Sequence, residues 1–191
     1  FAYSIIRNYR KAHKLFACNG ILFNHESPIR GEDFVTRKIS KVVAKIANGH
    51  KEILCLGNLE AKRDWGHAQD YVRGMWLMLQ QDEPDDYILA TGRSISVREL
   101  VEKAFAHVNI DIVWQGGGLE EVGMNLKTRE ILIKIDPQFY RPNELHTLCG
   151  DASKAEKILR WKPEISFEEM IAEMIAADRG EEYNQGWMHA A

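Results

Sequence analysis

The chain has 191 residues, of which 45% are hydrophobic and 28% are charged, and its formal net charge is -3 at pH 7. This composition allows a sizeable core, and the slightly acidic balance gives no electrostatic reason to expect a nucleic acid or an anionic membrane as partner. No run of 18 apolar residues occurs, so the sequence predicts no membrane-spanning helix. Three cysteines without C-x-x-C spacing favour a reducing, cytoplasmic setting over a disulfide scaffold or a zinc site.

The first 14 residues are predicted to be the end of a helix. No capping residue precedes their helical pattern, and the start has neither an initiator Met nor a signal-peptide pattern. We therefore expect a chain that begins inside an element, as a fragment of a longer protein would. The apolar face of such a helix would lack a partner, so we also expect association with the missing part or between copies.

The remaining elements follow from apolar spacing and turn residues. In chain order they are a strand at 16–23, a polar loop at 24–33, a helix at 34–47, a strand at 53–56, a helix at 68–79, a strand at 87–90, a helix opened by Ser96, strands at 111–114 and 131–135, a helix at 151–159 and a final helix opened by Ser166. Because helices and strands alternate, the sequence predicts α/β packing with small, mixed sheets.

Two of the predicted helices begin with the spacing of a capping box, Ser96 with Glu99 and Ser166 with Glu169. The helix at 68–79 is expected to bury a single apolar stripe. That stripe consists of Ala68, Tyr71, Val72, Met75, Trp76 and Leu79.

The first candidate ligand site is the polar segment 24–32, which directly follows an apolar strand. Ligands of open α/β sheets bind outside the carboxyl ends of strands. The segment offers an amide at Asn24, an imidazole at His25 and a guanidinium at Arg30, a set that suits a phosphorylated, polyhydroxylated ligand. An ordinary solvated turn around Pro28 explains the same residues about as well.

The second candidate is the segment 57–67. The fork of donors on Arg63 can grip a diphosphate, and Asp64 could hold that guanidinium in place. The competing interpretation is a surface Arg–Asp pair in which Asp64 also caps the next helix.

The third candidate is the segment 139–144, where Pro142 makes a rigid turn between a cation and a carboxylate. Arg141 suits a phosphate, and Glu144 can accept hydrogen bonds from sugar hydroxyls. An ordinary helix start with proline in its first turn is the alternative.

Other patterns lack the spacing of a functional site. Gly116–Gly118 is not followed by the Lys-Ser/Thr of a phosphate loop, and His25, His67 and His146 are not spaced as a metal-binding set. The sequence also contains neither a G-x-G-x-x-G fingerprint nor a Tyr-x-x-x-Lys pair, which is the usual acid/base pair of short-chain dehydrogenase chemistry.

Taken in order, the three candidate segments resemble the C-terminal part of the GDP-mannose 4,6-dehydratases, a group within the extended short-chain dehydrogenase/reductase family. The resemblance covers nearly the whole chain up to about Asp178, and the tail from Gly180 onward does not match. It is carried by residues 17–28, 34–39, 56–58, 63–68, 71–72, 135–137, 140–144 and 161–165.

The resemblance implies an α/β fold: the substrate-binding part of an extended short-chain dehydrogenase, joined to the last elements of its NAD(P)-binding Rossmann fold. Residues 1–33 would be the trailing part of the Rossmann domain with a ligand-facing loop, 34–180 the nucleotide-sugar-binding region, and 181–191 a tail. The intact enzymes of this family dehydrate GDP-mannose with NADP and are expected to be homo-oligomers. Their catalytic residues would lie upstream of Phe1, so we expect this chain to be inactive alone.

Position by position, the resemblance implies two sets of ligand contacts. His25 and Arg30 would contact NADP. The GDP-sugar would be contacted by Asn24, Val35, Lys38, Arg63, Arg141 and Glu144. Arg63 and Arg141 would hold the diphosphate and Glu144 a hydroxyl. The family usually has two consecutive Arg residues before the glycine of the first segment, and Ile29 stands here in place of the first.

Two alternatives to the dehydratase stay open at this point. The chain could be a non-catalytic module that binds nucleotide-sugars, or part of a related nucleotide-sugar epimerase or reductase, since that choice depends on residues upstream of Phe1.

Overall fold

The computed structural model describes residues 1–140 and 145–183. The helices of these residues are α1 (Ala2–His13), α2 (Val35–Ala47), α3 (Ala68–Leu79), α4 (Val97–His107), α5 (Ser153–Leu159) and α6 (Phe167–Arg179). Each predicted helix is confirmed to within two residues at the ends that the sequence pattern defined. None of the helices in this part of the chain is long and apolar enough to cross a membrane.

Ten short strands lie between the helices in the described ranges. They are β1 (Asn19–Leu22), β2 (Asn24–Glu26), β3 (Leu54–Leu56), β4 (Lys62–Arg63), β5 (Trp65–His67), β6 (Asp86–Leu89), β7 (Ile95–Ser96), β8 (Ile112–Gln115), β9 (Val122–Asn125) and β10 (Ile131–Ile135). β1 pairs with β6 and β2 with β5, both in parallel, while β4 and β7 are antiparallel. A four-stranded mixed sheet has the order β3-β10-β9-β8. Small, mixed sheets are therefore confirmed.

Strand prediction fails where strands are polar or interrupted. The strand predicted at 16–23 is confined to β1, and the loop predicted at 24–33 begins with strand β2. β2 has the sequence Asn-His-Glu, which lacks apolar alternation, and it is a strand because its backbone pairs with β5, with Asn24 opposite Trp65. β9 was not predicted, and it contains Gly123, a residue that weakens strand patterns.

The helix starts follow the serine signals in part. Ser166 and Glu169 form a complete capping box at the start of α6. At α4 the Ser96 side chain accepts from the Glu99 backbone N–H, whereas the Glu99 carboxylate pairs with Arg93. Only half of that predicted box is therefore formed.

Two hydrophobic cores stabilise the fold. The larger one lies between helices α2, α4 and α6 and the four-stranded sheet, with Val43, Leu54, Val101 and Phe105 among its most buried members. The smaller one packs α3 and α5 against β6. Its buried members are Tyr71, Met78, Tyr87, Leu89, Ala155, Leu159 and Trp161.

The predicted buried stripe of α3 is wrong for most of its residues. Val72, Trp76 and Leu79 are 60–61% exposed, and Met75 is 41% exposed. The buried face instead consists of Tyr71, Gly74 and Met78, together with Asp70. The absence of a side chain at Gly74 lets the helix lie close to β6, because an added Cβ would meet Leu89 at 2.4 Å and the Trp161 indole nitrogen at 3.0 Å. The packed face of α3 is therefore determined by the close approach at Gly74 and not by the pattern of apolar residues.

Asp70 joins α3 to the segment that follows α5. Its carbonyl oxygen accepts from the Trp161 indole N–H at 2.7 Å, and its Oδ2 accepts from the backbone N–H groups of Glu164 and Ile165 at 3.0 Å each. Its Oδ1 accepts from the Arg73 guanidinium at 3.2 Å, so both oxygens of this buried carboxylate have hydrogen-bond partners.

Gly74→Ala tests the close approach of α3. In an ordinary helix this change is favourable by about 1 kcal/mol. Here we expect a net loss of about 1–3 kcal/mol in the free energy of unfolding, because the methyl group overpacks the core. Urea unfolding measures this, with Met75→Ala on the exposed face as the control. A stabilised Gly74→Ala variant would contradict the packing.

Candidate functional site

The parallel pairing of β2 with β5 brings the first two candidate segments side by side. His25 lies opposite Gly66, and Glu26 lies opposite His67. The carboxyl ends of both strands therefore reach the same edge, where ligands of α/β proteins bind. The first segment is more than a solvated turn around Pro28, since strand pairing fixes its first three residues.

The His25 ring is fixed by two contacts. Its Nδ1 lies 2.8 Å from the carbonyl oxygen of Phe23. Its ring centroid lies 5.2 Å from that of Tyr71, which is fully buried and packs edge-on against Trp161. Burial, reinforced by nearby carboxylates, raises the pKa of Tyr71 well above its usual range, so the hydroxyl stays protonated.

Arg30 is held between a carboxylate and an aromatic ring. Its Nε lies 3.1 Å from Oε2 of Glu26, and its guanidinium carbon lies 3.4 Å from the centroid of the Phe34 ring. Glu26 is buried and also accepts a 2.6 Å hydrogen bond from the Thr36 hydroxyl. Burial raises the pKa of Glu26, and Thr36 and Arg30 oppose that shift. The orientation of the guanidinium is therefore fixed by contacts within the fold.

Three further predicted ligand residues lie along β2 and α2. Asn24 begins β2, Val35 begins α2, and Lys38 follows one turn later. The Lys38 Nζ lies 3.5 Å from the centroid of the Phe139 ring, which places α2 beside the start of the third candidate segment. Burial lowers the pKa of Lys38.

Arg63 links the second candidate segment to the chain just after the third. Its Nη1 donates to the carbonyl oxygens of Lys62 at 2.8 Å and Leu145 at 2.7 Å. The two predicted ligands of the third segment, Arg141 and Glu144, lie outside the described residues.

Asp64 has a different role from either interpretation of the sequence. Its Oδ1 accepts from the N–H and the hydroxyl of Thr91, at 2.8 and 2.6 Å. Its Oδ2 accepts from the N–H groups of Gly92 and Gly150, at 3.0 and 3.1 Å. The carboxylate is 0% exposed. The hydrogen bonds of Asp64 therefore connect its own segment with residues 91–92 and with Gly150.

The helix cap expected from Asp64 is supplied by His67 instead. Its Nδ1 accepts from the Gln69 backbone N–H at 3.1 Å, and its Nε2 lies 3.0 Å from Oε2 of Glu173 on α6. Among the described residues, no group of three or more His, Cys, Asp or Glu side chains could hold a metal ion.

Sequence reasoning missed the residues that support the candidate ligands. Glu26 and Phe34 contact Arg30, and Thr36 contacts Glu26, but the sequence analysis assigned a role to none of the three. One signal was available for Glu26, since it stands four residues before Arg30, at a spacing at which opposite charges pair.

Comparison with known proteins gives a consistent result. A family model described as "GDP-mannose 4,6 dehydratase" matches residues 1–174. Proteins named GDP-mannose 4,6 dehydratase from Cricetulus griseus and Homo sapiens are 57% and 56% identical over 178 residues, which are 93% of this chain and 48% of each relative. The one from Dictyostelium discoideum is 53% identical over 189 residues, 96% of this chain and 53% of the relative. The chain thus spans about half the length of these curated relatives.

Solved structures show the same fold at low sequence identity. RMD from Pseudomonas aeruginosa, complexed with NADPH, has a TM-score of 0.74 at 19% identity and matches 94% of this chain and 53% of its own. A dTDP-glucose 4,6-dehydratase from Bacillus anthracis in complex with NAD has a TM-score of 0.71 at 18% identity, with 97% and 51% covered. These likenesses concern the fold alone.

Asp64→Asn tests the role of the buried carboxylate. The amide nitrogen of Asn would face at least one backbone N–H group that now donates to a carboxylate oxygen. At least one of the four hydrogen bonds is therefore lost, and the remaining ones no longer end on a charged group. We expect the free energy of unfolding to fall by at least about 1.5 kcal/mol, since each bond to a charged group contributes about 1.5–3 kcal/mol. Urea unfolding measures the loss. The control is Asp151→Asn, whose exposed carboxylate accepts one backbone N–H at 2.9 Å, and equal losses for the two variants would refute the assigned role.

Proposed function

The chain belongs to the GDP-mannose 4,6 dehydratase family, and on this premise we propose that the protein that carries it converts GDP-mannose to GDP-4-dehydro-6-deoxy-mannose and water. The chain would be the substrate-binding portion, and it would be inactive alone because its sequence lacks Tyr-x-x-x-Lys and the glycine fingerprint. Its α/β fold corresponds to about half of an extended short-chain dehydrogenase.

The proposed reaction depends on an internal hydride transfer. Oxidation of C4 of the hexose makes the C5 proton acidic, so a carboxylate base suffices to eliminate water across C5 and C6. NADP would accept the hydride from C4 and return it to C6. The residues of this chain would bind and orient the two ligands, which is the part of catalysis that proximity supplies.

One observation carries the substrate assignment: Arg63 donates to the carbonyl oxygen of Leu145, the residue directly after Glu144. The residues after Leu145 run beside β4. The backbone N–H of Lys62 donates to the carbonyl oxygen of His146 at 2.8 Å, and the backbone N–H of Leu148 donates to the carbonyl oxygen of Lys62 at 3.1 Å. Arg141 precedes Leu145 by four residues, which limits their Cα separation to about 14 Å. This supports a cleft in which Arg63 and Arg141 approach one diphosphate.

The other substrate contacts follow the chemistry of the side chains. We assign Lys38 to the substrate as a point charge, and Arg63 and Arg141 to the diphosphate through their planar forks of donors. Glu144 is assigned to a sugar hydroxyl. Asn24 and Val35 complete the substrate set. Asn24 lies opposite Trp65, two residues after Arg63, which supports a common site for Asn24 and Arg63.

The cofactor set consists of His25 and Arg30, and the cofactor proposed is NADP. A guanidinium that a carboxylate and an aromatic ring already orient fits a cofactor phosphate. Two proteins of the same fold hold NADPH and NAD. Ile29 is 71% exposed beside Arg30, where the family's usual second arginine would add a cation.

The proposed units are residues 1–33, the end of the Rossmann domain; 34–180, the substrate-binding region; and 181–191, a tail. Strand β6 of the second unit pairs with β1 of the first, so the two units share a sheet. A homo-oligomer is proposed because α1 has no buried residue and α3 exposes an apolar face. A cytoplasmic location is proposed from three free cysteines.

The reaction is tested by comparing two proteins, the product of the complete reading frame and the 191-residue chain. We expect the former to convert GDP-mannose with NADP to the 4-dehydro-6-deoxy sugar, and the latter to show no turnover. Chromatography of the nucleotide-sugars measures both. Turnover by the chain alone would contradict its role as a binding portion, and a different product from the complete protein would contradict the dehydratase.

Arg63→Ala tests the diphosphate contact. Loss of a bidentate bond to a charged group costs about 1.5–3 kcal/mol, so we expect the affinity of the complete protein for GDP-mannose to fall roughly ten- to a hundredfold. Calorimetry measures this, with Arg141→Ala as the companion variant. Arg93→Ala is the control, since this exposed arginine pairs with Glu99 at 3.1 Å and is not one of the residues assigned to a ligand. Unchanged affinity for GDP-mannose in both Arg63→Ala and Arg141→Ala would refute the diphosphate assignment.

A further inference from the structure

The contact between His25 and Phe23 determines which nitrogen of the imidazole carries the proton. Nδ1 lies 2.8 Å from the carbonyl oxygen of Phe23. A carbonyl can only accept, so Nδ1 must donate. In a neutral imidazole the other nitrogen then has a lone pair and no hydrogen. In the neutral ring, Nε2 of His25 is therefore a hydrogen-bond acceptor.

The ring has little freedom to present a different edge. Tyr71 packs against it, with ring planes 32° apart and centroids at 5.2 Å. Tyr71 is itself fixed, since a Cβ added at Gly66 would lie 2.7 Å from its ring and Trp161 contacts it edge-on at 6.0 Å. The Phe23 carbonyl and Tyr71 are thus positioning groups for the imidazole.

Nε2 makes no hydrogen bond to any residue within 1–140 or 145–183. Unlike the Tyr71 hydroxyl, Nε2 is not among the polar atoms that are both buried and without a partner in this part of the chain, so it is accessible to solvent. The acceptor nitrogen is therefore available to a ligand, and it lies at the strand edge where the cofactor is proposed to bind.

We propose that His25 recognises the cofactor as a hydrogen-bond acceptor through Nε2, so that the group it binds is a hydroxyl or an amide N–H and not a phosphate. A neutral acceptor facing a phosphate oxygen would leave both lone pairs unmatched. We assign the phosphate of the cofactor to Arg30, because a guanidinium has only hydrogen-bond donors. This division of roles rests on the proposed function, and in particular on NADP as the cofactor.

The first test reads the tautomer directly. The ¹⁵N chemical shifts of the His25 ring, measured in the complete protein at mildly alkaline pH, separate a protonated from an unprotonated ring nitrogen. We expect Nδ1 to be protonated and Nε2 to be unprotonated. A proton on Nε2 would overturn the proposal, whatever the protein binds.

The second test uses two substitutions that mimic the two nitrogens separately. In His25→Asn the amide N–H can replace Nδ1 and keep the bond to Phe23, but nothing replaces Nε2. In His25→Gln the side-chain oxygen can reach the position of Nε2 and accept there. We expect His25→Asn to lower the affinity of the complete protein for NADP about three- to tenfold, the range for one neutral hydrogen bond. We expect His25→Gln to retain more affinity than His25→Asn.

A matched control is available in the same chain. His50 also places its Nδ1 by a backbone carbonyl, that of Lys45 at 3.1 Å, but it is exposed just beyond the end of α2. His50→Asn should leave NADP affinity unchanged. Thermal unfolding of all three variants shows whether each is folded. If His25→Asn is unfolded, the ¹⁵N measurement of the tautomer and the NADP affinity of His25→Gln test the proposal.

The outcomes separate this proposal from the proposed function. If the parent protein binds NADP and His25→Asn binds it equally well, the role of His25 is overturned and the dehydratase stands. If the parent protein dehydrates GDP-mannose, and His25→Gln and His25→Asn lower its affinity for the cofactor equally, the acceptor role is overturned. If the parent binds no NADP, the cofactor assignment fails and the proposal fails with it.

Discussion

The buried carboxylate of Asp64 is the interaction on which the candidate site depends. It lies between β4 and β5 and accepts four hydrogen bonds from the residues after β6 and from Gly150. A charge without access to water is tolerated only when its lone pairs are satisfied, so all three segments must be assembled together. Arg63 precedes Asp64 directly, and the segment that ends at Gly150 begins with Leu145, which Arg63 also contacts. The position of Arg63, which we propose as a diphosphate contact, therefore depends on the hydrogen bonds of the adjacent Asp64.

The helices could be predicted because their signals are local. Apolar spacing and caps such as Ser166 with Glu169 operate within one or two turns, and α6 starts where they indicate. The packed face of α3 could not be predicted in the same way. Both of its faces carry large apolar residues, and the choice was made by Gly74, whose lack of a side chain matters only once Leu89 and Trp161 are beside it. Similarly, β2 is a strand only because β5, some 40 residues later in the numbering, offers it a partner.

For the candidate site, the sequence indicated the side chains with ligand chemistry but not those that orient them. His25, Arg30 and Arg63 stay predicted ligand residues, which the sequence indicates because imidazole and guanidinium groups that follow strands suit phosphate-containing ligands. For the buried Glu26, the only sequence signal is its four-residue spacing to Arg30, and its hydrogen bond with Thr36 is defined by contacts within the fold. Arg141 and Glu144 lie outside the described residues, so their share of the site rests on the family resemblance and on the position of Leu145.

The uneven burial of tryptophan gives the molecule a built-in optical probe. Trp65 and Trp161 are at most 2% exposed, whereas Trp76 on α3 is 60% exposed. An indole in water emits at longer wavelength than one in a protein interior and is open to collisional quenchers. Anything that covers the outer face of α3 will therefore shift the emission of Trp76 to the blue and protect it from quenching, while the two interior indoles report on the integrity of the cores. Because the chain has five tryptophans, the difference between the emission of the parent protein and that of a Trp76→Phe variant isolates the Trp76 signal, so assembly and folding can be followed separately without an attached dye.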